Sequence, residues 1–267
     1  MALNIAVCMK VAPDPDKYNQ ISLDPVTKTL VRSGIDSVIS GTDLHAIELA
    51  LQLKSKFGGK VTLISMGPDS NEKQLREALG YGCDEAVLLS DRKLGGADAL
   101  ATSYTLYKGI EKMGGYDLVL LGNASDDGST AHVPSQLGEW LGLPHLTDVI
   151  GFEMSEEGCC LAKKEVEGAV NTYQISLPAV IGVTKRLNTV RHPNVMAIFA
   201  AKKKPFTRLT AADLNDLDES RIGLAGSPTQ AVGYLDADFH RDCVEITGRD
   251  DAEKAAELLR VVLAAKK

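Results

Sequence analysis

Four short apolar runs recur through the first half of the chain: NIAVCM (4–9), KVTLISM (60–66), EAVLLS (85–90) and DLVLLG (117–122). They are nearly continuous in Val, Ile and Leu, the pattern of strands buried on both faces. Between them, 43–59, 70–82 and 97–115 carry apolar residues at helical spacing. In the first of these Leu44, Ile47 and Leu51 share a face, and Gly58-Gly59 marks the stop. Asp43 and Ser70 stand where N-caps are expected. Strand and helix alternating in this way predict a mostly parallel sheet with right-handed crossovers and helices on its faces.

From about residue 146 the pattern changes. Segments TDVIGFEM, CCLAKKEVEG and NTYQISLPAVIGV are β-prone and separated by turn signals such as SEEG, which predicts a β-meander appended to the sheet. A connector follows over 184–206, and then an acidic tail ending in a helix over 250–267. Asp250 and Asp251 lie at that helix's positive end and Lys266 and Lys267 at its negative end. The stretch 216–249 is poor in apolar residues, so the tail is expected to lie on something else, its own domain or a partner. The expected fold is α/β, Rossmann-like and doubly wound, with a nucleotide-binding domain over 1–205 and a C-terminal arm over 206–267.

Composition narrows the function. The 267 residues are 44% hydrophobic and 24% charged, with a formal net charge of −7, which argues against a broad nucleic-acid footprint. No secretory signal is visible and no run of about 18 apolar residues would span a membrane. The five cysteines show no C-x-x-C spacing, so they are expected to be reduced and structural in a cytoplasmic protein.

Signatures of bond-making catalysis are missing: G-x-G-x-x-G after a strand, G-x-x-x-x-G-K-[ST], H-E-x-x-H and G-x-S-x-G do not occur. Five scattered histidines suggest no metal cage; His45 suits a surface or capping role, and His132 stands alone in a loop. No catalytic residue and no metal ligand is therefore expected. What remains are the strand ends, where an open α/β sheet binds its ligands: CMKVAPDPD (8–16), ISGTD (39–43), SMGPDS (65–70) and GNASDDGST (122–130). In the last, Gly122 and Gly128 would allow backbone N–H groups to converge, Ser129 and Thr130 offer hydroxyls, and the next helix offers its positive end. Asp126 and Asp127 would repel a phosphate only if they point at it. They can instead cap a helix or accept hydrogen bonds from a ribose or an adenine amino group. Taken alone the loop reads equally as a capped βα turn; four such strand ends together favour a nucleotide site.

These stretches, in order, resemble the beta subunit of electron-transferring flavoproteins over essentially the whole chain. VCMKVAPDPD resembles the family's V-K-x-V-P-D turn, and HAIELALQLK (45–54) its A-x-E-x-A-L-x-L-K helix. In SMGPDSNEKQLREALGYGCDEAVLL (65–89), Gly67, Pro68, Leu75, Arg76, Ala78, Leu79, Gly82 and Asp84 match. DLVLLGNASDDGSTA (117–131) resembles D-L-V-L-x-G-[KR]-Q-A-x-D-[GD]-D-T-A, and LPAV (177–180) and RHPNVMAIFAAKKKP (191–205) complete the series.

The resemblance implies a Rossmann-like subunit that pairs with an alpha subunit, on which the arm 206–267 would pack. The heterodimer would hold FAD, chiefly on the alpha subunit. It would carry electrons from dehydrogenases, such as the acyl-CoA dehydrogenases of fatty acid oxidation, to a quinone oxidoreductase or other acceptor. This subunit would bind AMP or, in flavin-bifurcating members, a second FAD with an NADH site. By position the nucleotide site would draw on Met9, Ser40, Gly41, Thr42, Met66, Gly122, Asn123, Asp127, Gly128, Ser129 and Thr130, while Val195 falls in the family's loop for docking partner dehydrogenases. Asn123-Ala124 replaces a basic residue and Gln, Ser129 an acidic residue, and Ser40-Gly41 an Asn-Pro pair. The lost basic residue is a candidate phosphate or flavin partner, whereas Asp127-Gly128-x-Thr130 looks more like bifurcating members; AMP is the expected ligand. The rival class is a stand-alone adenine-nucleotide module like the universal stress proteins, which are usually shorter and lack the meander and tail. An ATP pyrophosphatase-type enzyme would need an early S-G-G-x-D-S loop, which is absent.

Overall fold

A computed structural model describes residues 2–20, 22–23, 30–31, 35–155, 159–193, 195–229 and 243–265. The chain divides into two compact units, Met1–Val232 and Gly233–Lys267. In the first, strands β1 (Leu3–Cys8), β2 (Val11–Pro13), β3 (Ser22–Leu23), β4 (Leu30–Val31) and β5 (Ser37–Ile39) precede helix α1 (Gly41–Phe57). They are followed by β6 (Gly59–Met66), α2 (Glu72–Leu79), β7 (Glu85–Leu89), α3 (Ala99–Met113), β8 (Leu118–Gly122) and α4 (Val133–Leu141). Then come β9 (His145–Met154), β10 (Cys159–Val166), β11 (Ala169–Ser176), β12 (Ala179–Val183), α5 (Val195–Ala201) and β13 (Phe206–Leu209).

Nine strands form one sheet in the order β11-β10-β9-β12-β8-β1-β6-β7-β13, antiparallel only at β9-β10-β11. Both faces of the central parallel strands are covered, which is why those strands read as unbroken apolar runs. Leu3, Ile5 and Val7 of β1 pack with Ala46, Ile47 and Ala50 of α1 and Leu75 and Leu79 of α2. Ala6 and Cys8 turn to the other face, with Tyr104 and Ile110 of α3 and Leu137 of α4. The chain builds outward from β1 through β6 to β7, then returns through α3 to β8 on the far side of β1. That reversal opens a crevice between the carboxyl ends of β1 and β8, where ligands of such sheets sit.

The expected fold class holds, with local corrections. The meander is β9-β10-β11 alone. β12, the AVIGV run, returns to the parallel core and inserts between β8 and β9, pairing Ala179–Val183 with Leu118–Gly122. Ser40, not Asp43, is the N-cap residue of α1, and Asp43 lies inside the helix. Ser70 belongs to a 3-10 turn over Asp69–Asn71, after which Asn71 precedes α2. Past residue 205 the first unit continues: β13 pairs in parallel with β7, and Thr229 N–H reaches Asp98 Oδ2 at 3.0 Å.

The second unit contains α6 (Asp251–Ala265), capped by Asp250 Oδ1 accepting from Glu253 N–H at 2.9 Å. Leu258, Leu259, Val262 and Leu263 on it are exposed. Lys266 and Lys267, and most of the turn at 155–158, lie outside the described residues. No helix among the described residues is long and apolar enough to cross a membrane.

Candidate functional site

A cavity of about 350 Å³ opens at the switch point. Its floor is the end of β1 (Cys8, Met9, Lys10), Met66 at the end of β6, and Leu121 and Gly122 of β8; its walls are the starts of α3 and α4 and the loop 123–132 between β8 and α4.

The loop is held from behind by α1. Thr42 Oγ1 donates to Ala124 O at 2.5 Å, and Gly41 N–H donates to Asp126 Oδ2 at 2.8 Å. Asp126 thus caps a helix, but a different helix from the one its loop enters. Its other oxygen accepts from Lys185 Nζ at 3.0 Å. Asp127 accepts from Lys10 Nζ at 2.6 Å, and Lys10 also reaches Ser125 Oγ at 3.3 Å. Burial alone would raise both carboxyls. The Gly41 N–H and Lys185 beside Asp126, and Lys10 and Ser125 beside Asp127, hold them below the usual carboxylate range. Each aspartate is therefore an ion pair and not an open negative charge facing the cavity.

Asp43 staples the two strand ends that define the crevice. Its Oδ1 accepts from Gly122 N–H at 2.7 Å and its Oδ2 from Lys10 N–H at 2.7 Å. Burial pushes this carboxyl up to about 7, against the opposing pull of those two N–H groups. Close approach makes a glycine necessary at 122: a Cβ there would meet Asp43 Oδ1 at 2.6 Å and also press on Thr42 Oγ1. Gly128 has no such constraint, and a Cβ there meets nothing closer than Ser125 Oγ at 3.7 Å. The left-handed positions of the loop are instead Ser129 (φ 48) and Ala131 (φ 55), which corrects the expectation that Gly128 supplies the unusual backbone.

On the far wall, Asn123 Nδ2 donates to Asp148 Oδ1 at 2.6 Å, and its N–H to Val183 O at 2.8 Å. Asp148 sits at φ 59 where β9 slips register against β12, which turns the carboxylate towards Asn123. At the mouth, the N–H groups of Thr130, Ala131, His132 and Val133 make no hydrogen bond to another described residue. They lie at the start of α4, a helix with Pro134 in its first turn. Lys10 is the only Lys or Arg lining the cavity among the described residues. Four N–H donors at a helix start, two hydroxyls (Ser125, Thr130) and one ammonium form a donor set suited to an anion.

The family profile of the electron transfer flavoprotein domain matches residues 27–214. Over 230 residues the chain is 41% identical to the electron transfer flavoprotein subunit beta of Thermoanaerobacterium thermosaccharolyticum, covering 86% of each. The chain belongs to the beta-subunit family of electron transfer flavoproteins. It is also 37% identical to the flavoprotein subunit beta of Megasphaera elsdenii over 260 residues, 95% of this chain and 94% of that one. Subunit CarD of the caffeyl-CoA reductase-Etf complex of Acetobacterium woodii is 38% identical over 258 residues, 96% of this chain and 97% of that one. These alignments span the meander, which a stress-protein-like module would lack.

Of the residues expected at the nucleotide site of this flavoprotein subunit, Met9, Met66, Gly122, Asn123, Gly128 and Thr130 line one cavity. Gly41 and Thr42 stand behind the loop as braces, Ser40 N–H donates to Lys10 O at 2.9 Å, Asp127 binds Lys10, and Ser129 Oγ donates to Ser125 O at 3.0 Å. Val195 lies apart, on α5, where Val195, Met196, Ile198 and Phe199 are exposed. Sequence reasoning missed Lys10, Asp43, Ser125 and Asp98 as site residues. Lys10 follows Met9 directly, but its partners lie more than 110 residues away. Asp43 looked like a cap because its hydrogen-bond partners come from two other strand ends.

Proposed function

We propose that this subunit pairs with a flavoprotein alpha subunit, that the pair carries electrons through FAD from dehydrogenases to a quinone oxidoreductase or another acceptor, and that the cavity between β1 and β8 holds AMP. The observation that carries the nucleotide reading is the donor set at the mouth: unpaired N–H groups at 130–133 with Lys10 as the single lining cation among the described residues. It suits a phosphate. The volume of about 350 Å³ lies at the small end of ligand sites and suits a mononucleotide better than a dinucleotide.

Within the chain the division of labour is physical. Asp43 fixes the two strand ends, Asp126 and Asp127 hold the loop through Lys185 and Lys10, and the N–H groups of 130–133 are left without a partner among the described residues. Bound FAD supplies the redox chemistry, taking up and passing on electrons. The apolar face of α5 is the docking surface for the electron donor, held by Lys204 Nζ donating to Leu79 O at 3.0 Å and by Arg76 donating to Lys204 O at 3.0 Å.

Acid extraction of the purified complex and a count of nucleotides tests this directly. One FAD and one AMP per heterodimer are expected; two FAD and no AMP would assign this cavity to a second flavin. Lys10→Gln should release AMP at roughly tenfold lower concentration of competing phosphate, because it removes the single lining cation among the described residues.

A further inference from the structure

Helix α5 is held from its two ends more than from beneath. Of its seven residues only Ala201 is buried, while Val195, Met196, Ile198 and Phe199 are exposed. A helix of this length does not stand on its own propensity, so its place is set by tethers. Lys204 supplies the tether behind it. In front, Arg191 stands four positions before Val195 and closes on Glu48 of α1. Glu48 Oε2 accepts from Arg191 Nε at 2.7 Å and from the Arg191 backbone N–H at 3.2 Å. Glu48 Oε1 accepts from Arg191 Nη2 at 3.0 Å and from Gln52 Nε2 at 2.9 Å. The Glu48 side chain is only 5% exposed, that of Arg191 43%. Burial would raise this carboxyl, but the Arg191 side chain and N–H, with Gln52, hold it below the usual range.

We propose that Glu48 is a positioning residue for electron transfer: by clamping Arg191 it fixes the angle at which α5 meets the electron donor. This rests on the reading of α5 as the docking surface. A two-pronged carboxylate–guanidinium pair fixes orientation as well as distance, which a single point contact does not. With the clamp open, the chain from Arg191 to Val195 is long enough to reorient, since each residue spans up to about 3.5 Å. The donor must then order that segment as it docks, at a cost in affinity. Glu48 is too deeply buried to touch the donor, and it does not line the nucleotide cavity. Its effect on transfer therefore runs through the segment it holds.

Steady-state reduction of the assembled heterodimer by an acyl-CoA dehydrogenase, with KM for the flavoprotein separated from kcat, tests the clamp. Glu48→Gln should raise KM about tenfold and leave kcat and nucleotide content unchanged. Arg191→Lys keeps the charge but loses the fork, and it should raise KM to the same degree. The double variant should be no worse than either single one, because both break the same contact. Unchanged KM in Glu48→Gln overturns the proposal, as does a normal KM in Arg191→Lys, where charge alone would suffice. A double variant about a hundredfold above the wild type also overturns it, since Arg191 would then touch the donor itself. Should Glu48→Gln fail to assemble, Arg191→Lys, which alters a half-exposed side chain, decides by the same split between KM and kcat. Phe199→Asp separates the two readings. If it leaves KM unchanged, or if the wild type takes no electrons from the dehydrogenase, the docking reading fails and this proposal with it. A raised KM in Phe199→Asp beside a normal one in Glu48→Gln removes this proposal alone.

Discussion

The cavity between β1 and β8 and the outer face of α5 are opposite solutions to presenting a surface. The cavity is concave, and its polar groups are nearly all committed to other protein groups: Asp43 to two N–H groups, Asp126 and Asp127 to lysines, Asn123 to Asp148. What it leaves free is a small set of N–H donors at the mouth and one buried acceptor, Asn123 Oδ1. The face of α5 is convex and offers Met196, 78% exposed, and Phe199, 60% exposed. A small ligand is recognised by a few placed polar groups in a cleft, and a protein partner by a few large apolar anchors. A lesion on the face of α5 should therefore leave the cavity intact.

Asp43→Ala should give the largest effect. It leaves the N–H groups of Lys10 and Gly122 without their acceptor, so we expect a loss of about 2–4 kcal/mol in denaturant unfolding. The nucleotide should be lost from the purified complex as well. Retention of nucleotide in that variant would separate the staple from the site. Phe199→Asp should act on the other region alone. The donor dehydrogenase should bind at least about tenfold more weakly in titration calorimetry, with nucleotide content and melting unchanged. A parallel loss of nucleotide would break the comparison.

The Asp43 carboxyl also gives a slope in pH. Burial raises Asp43 from 3.8 to about 7, so between these values the folded chain holds a proton that the unfolded chain has released. Stability should decline as pH rises through that window and lose this dependence above it. Asp43→Asn should flatten the decline, which parallel unfolding curves of the two proteins would reveal.

The sheet and its helices were legible because burial on both faces writes continuous apolar runs, and β1, β6, β7 and β8 begin and end within a residue or so of those runs. The place of β12 was not. Its AVIGV run is as apolar as β8, but strand order is set by which neighbour it meets, and a turn pattern carries no such address. The same limit applies to charge. Asp126 and Asp127 were visible as an anomaly, while Lys185 lies 59 positions from the first and Lys10 117 from the second. Asn123, read as the replacement of a basic residue, is part of a bond to Asp148 on the adjoining bulge, so its neighbourhood belongs to the wall more than to the mouth.

Helix α1 has 17 residues, about 25 Å of stiff rod. Its first turn carries Gly41, Thr42 and Asp43, which brace the loop at the cavity. One to two turns on, His45 Nδ1 and Asn188 Oδ1 stand 2.8 Å apart, and Glu48 binds Arg191 through both carboxylate oxygens, at 2.7 and 3.0 Å. Asn188 and Arg191 lie on the segment that leads into α5. The same rod is thus a keystone between two arches. On the proposed reading, a nucleotide that does no chemistry in this subunit still serves its architecture. By seating the loop against the head of α1, it steadies the footing from which the docking helix is presented.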